Sequence, residues 1–568
     1  MDVLFPIKNF RNELKKIMMK RLLIILTLVL PFVFSGCKKA LDNRIDTSLT
    51  PDQVFVNYDR IKSFGLGTYA YLPAGYNRVG GAFLAGATDD AEETNTSSAI
   101  QAFNFGSWTA FSNPEVTFGS FYNGIRNANL FLERTTNFKQ IIARDTFTVE
   151  GRQKYIRNVD DLRWLRQEVR FIRSYIYFEL IKRYGGVPLV TKSLQLDEGK
   201  DIPRSSYNDM VTFISNECDA VKDSVRDEWL GYSDTETGRI TKGTVLALKS
   251  RLLLYAASPL NNPGNDAQKW QAAAKAAQDV IAMNKYSLFN NYQNLFLTPN
   301  SYRSTEVILS RRYSGSNGPE RANFPIGTPG GQSGTTPSQN LVDSYEKLAG
   351  WDATNPYNLR DPRLNATVVV NNSNWNGRTI QTYIGGADGP GKERTSKTGY
   401  YLKKFLSNPL DLVNNQTTVK AWILFRYGEI LLNYAEAMNE AYGPDDANGY
   451  GLTARQAINS LRARPGVNMP AVVAIGQGDL REKIKNERRV ELAYEDHRFW
   501  DVKRWKIAES TLGAPLLGIE ITKDANGVFS YVTKEVEKRV FQQKMYLYPI
   551  PQIEVNKSNG VIVQNPGW

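Results

Sequence analysis

Cysteine and histidine are nearly missing from this chain. There are two cysteines, Cys37 and Cys218, and one histidine, His497, in 568 residues. A disulfide framework, a cysteine-held iron–sulfur cluster and an all-cysteine zinc site are excluded. The usual histidine-rich metal centres are disfavoured as well, so no cofactor is expected. No Lys/Arg tract or nucleic-acid motif is present, and nucleic acid is not an expected partner. Hydrophobic residues at 42 % and charged residues at 23 % exclude wholesale disorder. What the chain has in quantity is rings: 29 Tyr, 26 Phe and 10 Trp, enough to supply both a core and a binding surface.

The one apolar run, LLIILTLVLPFVFSG at 22–36, is short for a stable membrane span and contains Pro31. Lys15, Lys16, Lys20 and Arg21 precede it, which is the layout of a secretory signal. Ser35-Gly36-Cys37 follows and resembles a bacterial lipobox, in which cleavage before the cysteine leaves it to carry lipid. Residues 1–36 are thus read as a signal peptide, with a true start near Met19, and 37–50 as a lipidated flexible tether. Two or more acyl chains, at about 0.8 kcal/mol per buried CH₂, would hold the body to a bilayer. Residues 1–36 contain six basic and two acidic residues, so they account for four of the twelve net positive charges, and the exported body is only mildly basic. Cys218, left alone, is expected buried as a small apolar residue.

The body reads as mostly α: a helical-hairpin scaffold with a large loop-rich insertion and short strands. Apolar residues at spacings of three and four predict helices over 118–135, 160–184, 205–223, 241–256, 266–283, 421–441, 453–464 and 479–495. Thr50 and Ser205 or Ser206 are cap candidates, with Pro51 at the first turn, and Gly185-Gly186 stops the longest helix. No strict 34-residue repeat is present. From 284 to 420 Gly, Asn, Ser, Thr and Pro dominate, with candidate strands at 366–370 and 379–384. The organisation is therefore 51–283, helical scaffold; 284–420, loop-rich ligand-binding insertion; and 421–568, the scaffold's second part with an extended C-terminus. A long ordered loop region in a folded protein is usually functional.

Eight segments recur in a fixed order: Cys37 with Leu41-Asp42; IRNAN at 125–129; EVRFIRSYIYF at 168–178 with YGGVPL at 184–189; Lys242-Gly243 onward to Leu254; NLVDSY at 340–345 with RDPRL at 360–364; Arg426-Tyr427 to Glu429 with YAEA at 434–437; IKNERR at 484–489 with Glu491-Leu492-Ala493, Arg498 and Arg504-Trp505; and LYPIP at 547–551 with QNPGW at 564–568. Together they resemble the SusD/RagB family of surface lipoproteins, which bind nutrients for an outer-membrane transporter of the TonB-dependent class. The resemblance implies a tetratricopeptide-like scaffold, a ligand site in the variable loops, a lipid anchor in the outer membrane facing the cell exterior, and a transporter partner. Two departures stand out. Trp351-Asp352 replaces the usual Asp-Gly, and Glu495-Asp496-His497-Arg498 replaces a Glu-Gly-x-Arg turn, which puts a tight glycine turn there in doubt.

The charged motifs read as scaffold. Glu487, Glu491 and Glu495 share one helical face, suited to bridging neighbouring helices through arginines. Glu168, Arg170 and Arg173 read likewise, and His497 as a surface or loop residue. Trp164, Trp422, Trp500 and Trp505 fall in helical patterns and are assigned to the core. Sugars offer a C–H face and a hydroxyl rim, which aromatic faces and amide, carboxylate or guanidinium groups match. The ligand-binding candidates are Tyr76, Asn77, Arg78, Asp89, Asp90, Trp108, Trp351, Tyr357, Trp375 and Tyr383. Trp375, set in NNSNWNGR, is expected to be lifted clear of the body by a turn. Asp89-Asp90 with Glu92 and Glu93 in a Gly-rich loop could hold calcium or serve glycoside hydrolysis. The leading expectation is a non-enzymatic binder of oligosaccharides. A peptide binder with the same kind of transporter partner, a helical scaffold for other proteins and a surface glycoside hydrolase are the alternatives.

Overall fold

The computed structural model describes residues 18–20, 50–142, 144, 147–195, 198–229 and 236–568. The apolar run at 22–36, Cys37 and the tether up to residue 49 lie outside the described residues. No helix among the described residues is long and apolar enough to cross a membrane. The chain divides into Met1–Asn57 and Tyr58–Trp568. In the first unit a single turn, Pro51–Val54, starts at Thr50, whose amide donates to Gln53 Oε1 at 2.9 Å.

The second unit is built on ten principal helices: α1 Tyr58–Gly67, α2 Phe118–Arg134, α3 Val149–Tyr184, α4 Tyr207–Val221, α5 Lys242–Ala257, α6 Ala267–Ile281, α7 Tyr427–Tyr442, α8 Ala454–Arg462, α9 Gln477–Glu491 and α10 Arg498–Arg504. Thr148, Ser206, Thr241, Asp266 and Thr453 each accept a first-turn amide of α3, α4, α5, α6 and α8. Each such cap contributes about 1 kcal/mol. Helix α3 starts eleven residues before the apolar stripe does, because its first turns are polar and exposed and carry no periodic signal. It stops at Gly185, whose φ of 71° suits glycine. The helices stack in series, α2 on α3, α3 on α4, α4 on α5, α5 on α6, α6 on α7, and α7 on both α8 and α9. This mostly helical, tetratricopeptide-like stack matches the expected fold class. Helices α6 and α7 are stack neighbours although about 145 residues separate them, so the intervening segment leaves the stack and returns to it.

Strands occur as two-stranded pieces. They include β1 Ala91–Glu93, β2 Val307–Ser316, β3 Thr335–Pro337, β4 Thr418–Arg426, β5 Leu516–Lys523 and β6 Phe529–Glu537. Antiparallel pairs are β1 with β3, β2 with β4, and β5 with β6. Strand β4 corrects the helix expected to begin at 421. TVKAWILF is rich in β-branched and aromatic residues, and Trp422 registers with Arg311 of β2, so the helix waits until Tyr427. The strands expected at 366–370 and 379–384 shrink to Val368–Val369 and Arg378–Thr379.

The acidic face of α9 is a hub. Glu491 binds Arg363, Arg426 and Arg464 at 2.9, 2.8 and 2.9 Å. Glu487 binds Arg363 and Arg462, and Glu495 binds Arg426 and Lys404. Arg426 also reaches Glu306 at 2.7 Å. All these groups are buried. Burial alone would raise the Glu491 pKa, but Arg464, Arg426 and Arg363 outweigh it and hold the carboxyl well below the usual range. Glu168 is likewise enclosed between Arg239 and Tyr69, and Arg170 and Arg173 share Glu217. His497, expected at the surface, is buried with Nδ1 3.3 Å from Arg488 Nη2. Burial, with Arg251 and Arg488 nearby, holds its pKa well below the usual histidine value. Trp422, Trp500 and Trp505 are core residues, Trp164 is half-buried, and Cys218 is enclosed with its thiol pushed up to about 12 by burial.

Candidate ligand-binding site

Three separate segments enclose an open groove of about 710 Å³. They are residues 94–97 after β1, Thr382 with the stretch 390–399, and the β5–β6 hairpin at 519–521 and 534–536. The β1–β3 pairing fixes the first, with Glu93 registered on Thr335 and the Thr94 amide donating to Gly334 O at 3.0 Å. The other two are joined along the free edge of β5. The Ile519 amide donates to Thr398 O at 2.9 Å and the Ile384 amide to Ile521 O at 2.8 Å. This approach requires glycine: a Cβ on Gly399 would lie 2.5 Å from Ile519 O, and one on Gly518 2.7 Å from Thr398 Cα.

The walls are polar. Thr94 and Thr382 are buried, and their hydroxyls have no partner in the fold. These two hydroxyls have essentially no exposed surface, so the polar groups the groove presents are its rim side chains, Lys392, Glu393 and Lys397 among them. Arg394, in the left-handed region at φ 60°, donates from Nη1 to Gln332 Oε1 at 3.0 Å while its Nε is unpartnered. Lys397 crosses to the buried Glu92 at 2.9 Å, and Lys534 pairs with Glu520 at 2.8 Å. Burial pushes the Glu92 carboxyl up to about 7, only partly offset by Lys397. Charges of both signs alternate round the rim, and no aromatic ring is among the lining residues.

None of the ten sequence candidates is among the residues lining this groove; Tyr383 follows Thr382 in the chain, with its ring 5.4 Å from that of Phe529 and beneath Lys523. The others are placed elsewhere. Trp375 is wholly enclosed, corner to edge with Phe324 at 5.2 Å. The expected turn exists, Asn376-Gly377 with φ of 49° and 77°, but it closes a hairpin of Asn374–Trp375 with Arg378–Thr379 that points the indole inward. Trp108 is also buried, against Phe103, Tyr548 and Trp568. Tyr76 packs among Phe83, Tyr313, Phe405 and Trp422 and donates to Ala421 O at 2.9 Å. Asn77 accepts from Asn323. Arg78 binds Glu115 and Asp496. Trp351 is half-buried, its Nε1 donating to Pro356 O at 3.1 Å and Lys347 lying 3.7 Å over its ring. Tyr357 packs on Tyr400 and Tyr531.

Asp89 and Asp90 are not open acids. Arg498 grips Asp89 with two hydrogen bonds of 2.9 and 2.8 Å, and Arg489 binds both residues. For these two residues the carboxylates face guanidiniums rather than a space for ligand. No group of three His, Cys, Asp or Glu among the described residues could hold a metal ion.

Residues 302–568 match the model of the SusD family, and residues 61–254 match a second model described as starch-binding, associating with outer membrane. The order of the two matches along one chain is decisive. This chain belongs to the SusD/RagB family. A SusD-like protein of Formosa agariphila is 28 % identical over 373 residues, covering 62 % of this chain and 68 % of that one. A SusD-like protein from Bacteroides fragilis superposes with a TM-score of 0.74 at 26 % identity, covering 91 % of this chain and 98 % of the other. A SusD-like carbohydrate binding protein from the same organism gives 0.73 at 23 % identity, over 89 % and 99 %. The departure from the family turn at Glu495-Asp496-His497-Arg498 is resolved by backbone conformation. Asp496 takes φ 63°, the left-handed conformation that glycine would adopt easily, and Arg78 Nε donates to its carboxylate at 2.7 Å. The tight turn forms without its glycine.

The groove residues were missed at the sequence level. The hairpin carries a readable local signal, Asn526-Gly527 between alternating segments. Thr382 and 390–399 fall within the stretch 284–420 expected to bind ligand, but neither they nor Thr94 carry a residue-level signal.

Proposed function

We propose that this protein is a non-enzymatic, cell-surface glycan-binding lipoprotein. In this reading Cys37 anchors it to the outer membrane facing the cell exterior, the groove captures oligosaccharides, and a TonB-dependent outer-membrane transporter receives them. The observation that carries the reading is the open polar groove of about 710 Å³, lined by Thr, Ser, Asn and charged side chains of both signs. Its size suits a short oligosaccharide. Membership of a family with a starch-binding description and a structural relative described as carbohydrate binding supports the ligand class. The absence of turnover is supported by Asp89 and Asp90 being committed to arginines.

Calorimetry against a panel of neutral oligosaccharides tests this directly. Arg394→Ala and Lys397→Ala should each weaken the best ligand several-fold while product chromatography detects no cleavage by the wild type. Failure of every glycan to bind the folded protein would refute the ligand class. Fractionation of Cys37→Ala, which should leave the membrane fraction, tests the anchor, and co-purification with an outer-membrane barrel tests the partner. One observation favours a second reading: no ring lines the groove, and polar contacts of this kind also suit a peptide. Saturable binding of peptides, with none of glycans, would establish it.

A further inference from the structure

The helical stack carries a second cavity that shares no lining residue with the groove. It is about 590 Å³ in volume and lies between the turn after α5, helices α6, α7 and α9, and the residues after α10. Its apolar walls are the indoles of Trp270 and Trp505, Pro259, Pro263 and Ile484. A neighbouring recess of about 540 Å³, lined by Lys544 and Tyr546 among others, adjoins it at the shared Lys506, giving a two-part trench.

The trench has a definite charge sense. Its two carboxylates are already satisfied. Glu436 accepts from Arg504 Nη2 at 2.7 Å and from Trp505 Nε1 at 2.8 Å, and Glu440 accepts from Arg481 Nη2 at 2.6 Å. Its lysines are less committed. Lys485 meets only Glu482, a 70 % exposed residue on its own helix. Lys506 and Lys544 have no carboxylate within ion-pair distance among the described residues, and their ammonium groups lie 5.7 Å over the Tyr546 ring and 4.5 Å over the Trp568 ring. Lys506 is also held in the left-handed region at φ 57°, a conformation that costs a non-glycine residue energy and is found preferentially at functional sites.

We propose that this trench is a second ligand site, taking a sugar ring that bears a carboxylate. The exposed Pro259 and Pro263, with the little that the largely buried indoles leave open, offer an apolar patch to the C–H face of a pyranose. Lys485, Lys506 and Lys544 along the floor and rim supply the positive charge that a uronate needs. The volume fits one to three rings. An acidic peptide is disfavoured, because none of the lining residues belongs to a strand and no free strand edge is offered to an extended backbone.

The test is calorimetry of the full chain with trigalacturonate, neutral galactotriose and a Glu-rich peptide, at 50 and 500 mM salt. Trigalacturonate should bind at low salt, weaken at least fivefold at high salt, and outbind the neutral trimer at least tenfold. Lys506→Gln and Lys485→Gln, each checked by thermal melting, should each lower its affinity three- to tenfold, while Lys154→Gln, exposed on α3 and lining none of these cavities, should leave it unchanged. Three results would overturn the proposal: no binding of trigalacturonate by the folded wild type, equal binding of the neutral trimer, or trench variants that melt and bind like the wild type. A peptide that binds more tightly than trigalacturonate and responds to the same trench variants would make the trench a protein-docking surface and overturn it as well.

Discussion

Replacing Glu491 by Ala should destabilise the fold severely, and the structure indicates why. Its carboxylate, with no exposed side-chain surface, is within 2.9 Å of Arg363, Arg426 and Arg464. Arg363 would keep Asp361 and Glu487, and Arg426 would keep Glu306 and Glu495. Arg464 would keep only Glu306, and its Nε and Nη1 already lack partners. An uncompensated guanidinium in the core is therefore the main cost, and breaking a buried pair typically costs about 3–5 kcal/mol. Unfolding entropy of about 2.1 cal/mol/K per residue over roughly 500 residues gives ~1 kcal/mol/K, so the melting temperature should fall by about 3–5 °C if the body unfolds as one unit. Glu482→Ala, which removes an exposed pair with Lys485, is the control and should cost about 0–1 kcal/mol. The sign with pH is set by the depressed folded-state pKa. The stabilisation is fully present above the ordinary value of 4.5 and is lost as pH falls through the lower folded value. The deficit of Glu491→Ala should thus stay constant from pH 6 to 8 and narrow only in strong acid. Removing Arg464 in the same chain, as Arg464→Met, should restore part of the loss. A melting temperature within a degree of wild type would refute the reasoning, as would a double variant no better than the single one.

Trp375→Ala should cost about 3–5 kcal/mol in a denaturant melt, because the enclosed indole leaves a cavity, and should leave groove binding unaltered by calorimetry. Lys503→Met should stabilise the protein at pH 7: the buried Nζ has no partner beneath Phe499, Trp500 and Tyr548, and burial with Arg183 nearby lowers its pKa well below 10.5. The unfolded chain then binds the proton more readily, so wild-type stability rises with pH towards 10.5, and melts of Lys503→Met across pH 7–10 should be flatter. Glu92→Gln reports the opposite case. With a folded pKa of about 7 against an ordinary 4.5, Glu92 contributes stability at low pH that is lost as pH rises through 7, so the variant should gain on wild type between pH 5 and 8. A gain that shrinks over that range would show that the Lys397 pair outweighs burial.

Periodicity made the scaffold legible, since α2, α4, α6 and α9 bury apolar residues at helical spacing and begin and end within a few residues of the sequence reading. It failed where a distant partner decides the outcome. AWILF in β4 is short enough to be helix or strand, and its pairing with β2, more than 100 residues away, settles the matter. Asp89 and Asp90 look solvated because their arginine partners are about 400 residues on. Trp375 has polar neighbours on both sides, yet its environment is set by Phe324, 51 residues earlier.

The same distinction separates family from ligand. Residues that carried the family resemblance, among them Glu168, Arg363, Arg426, Glu491 and Arg504, spend their charges on one another inside the fold. They hold the helix stack to the insertion and offer nothing to solvent. The groove segments at 94–97, 382, 390–399, 519–521 and 534–536 lie outside every one of those motifs. A buried ionic net fixes where the walls stand, because losing one partner strands the others at a cost of several kcal/mol. Residues on the walls bear no such penalty and can change with the ligand while the frame stays the same. Two chains that share all the motifs can therefore differ completely in what they bind. In this chain Lys392, Glu393 and Arg394 are accordingly the residues whose substitution should change ligand choice without changing the fold.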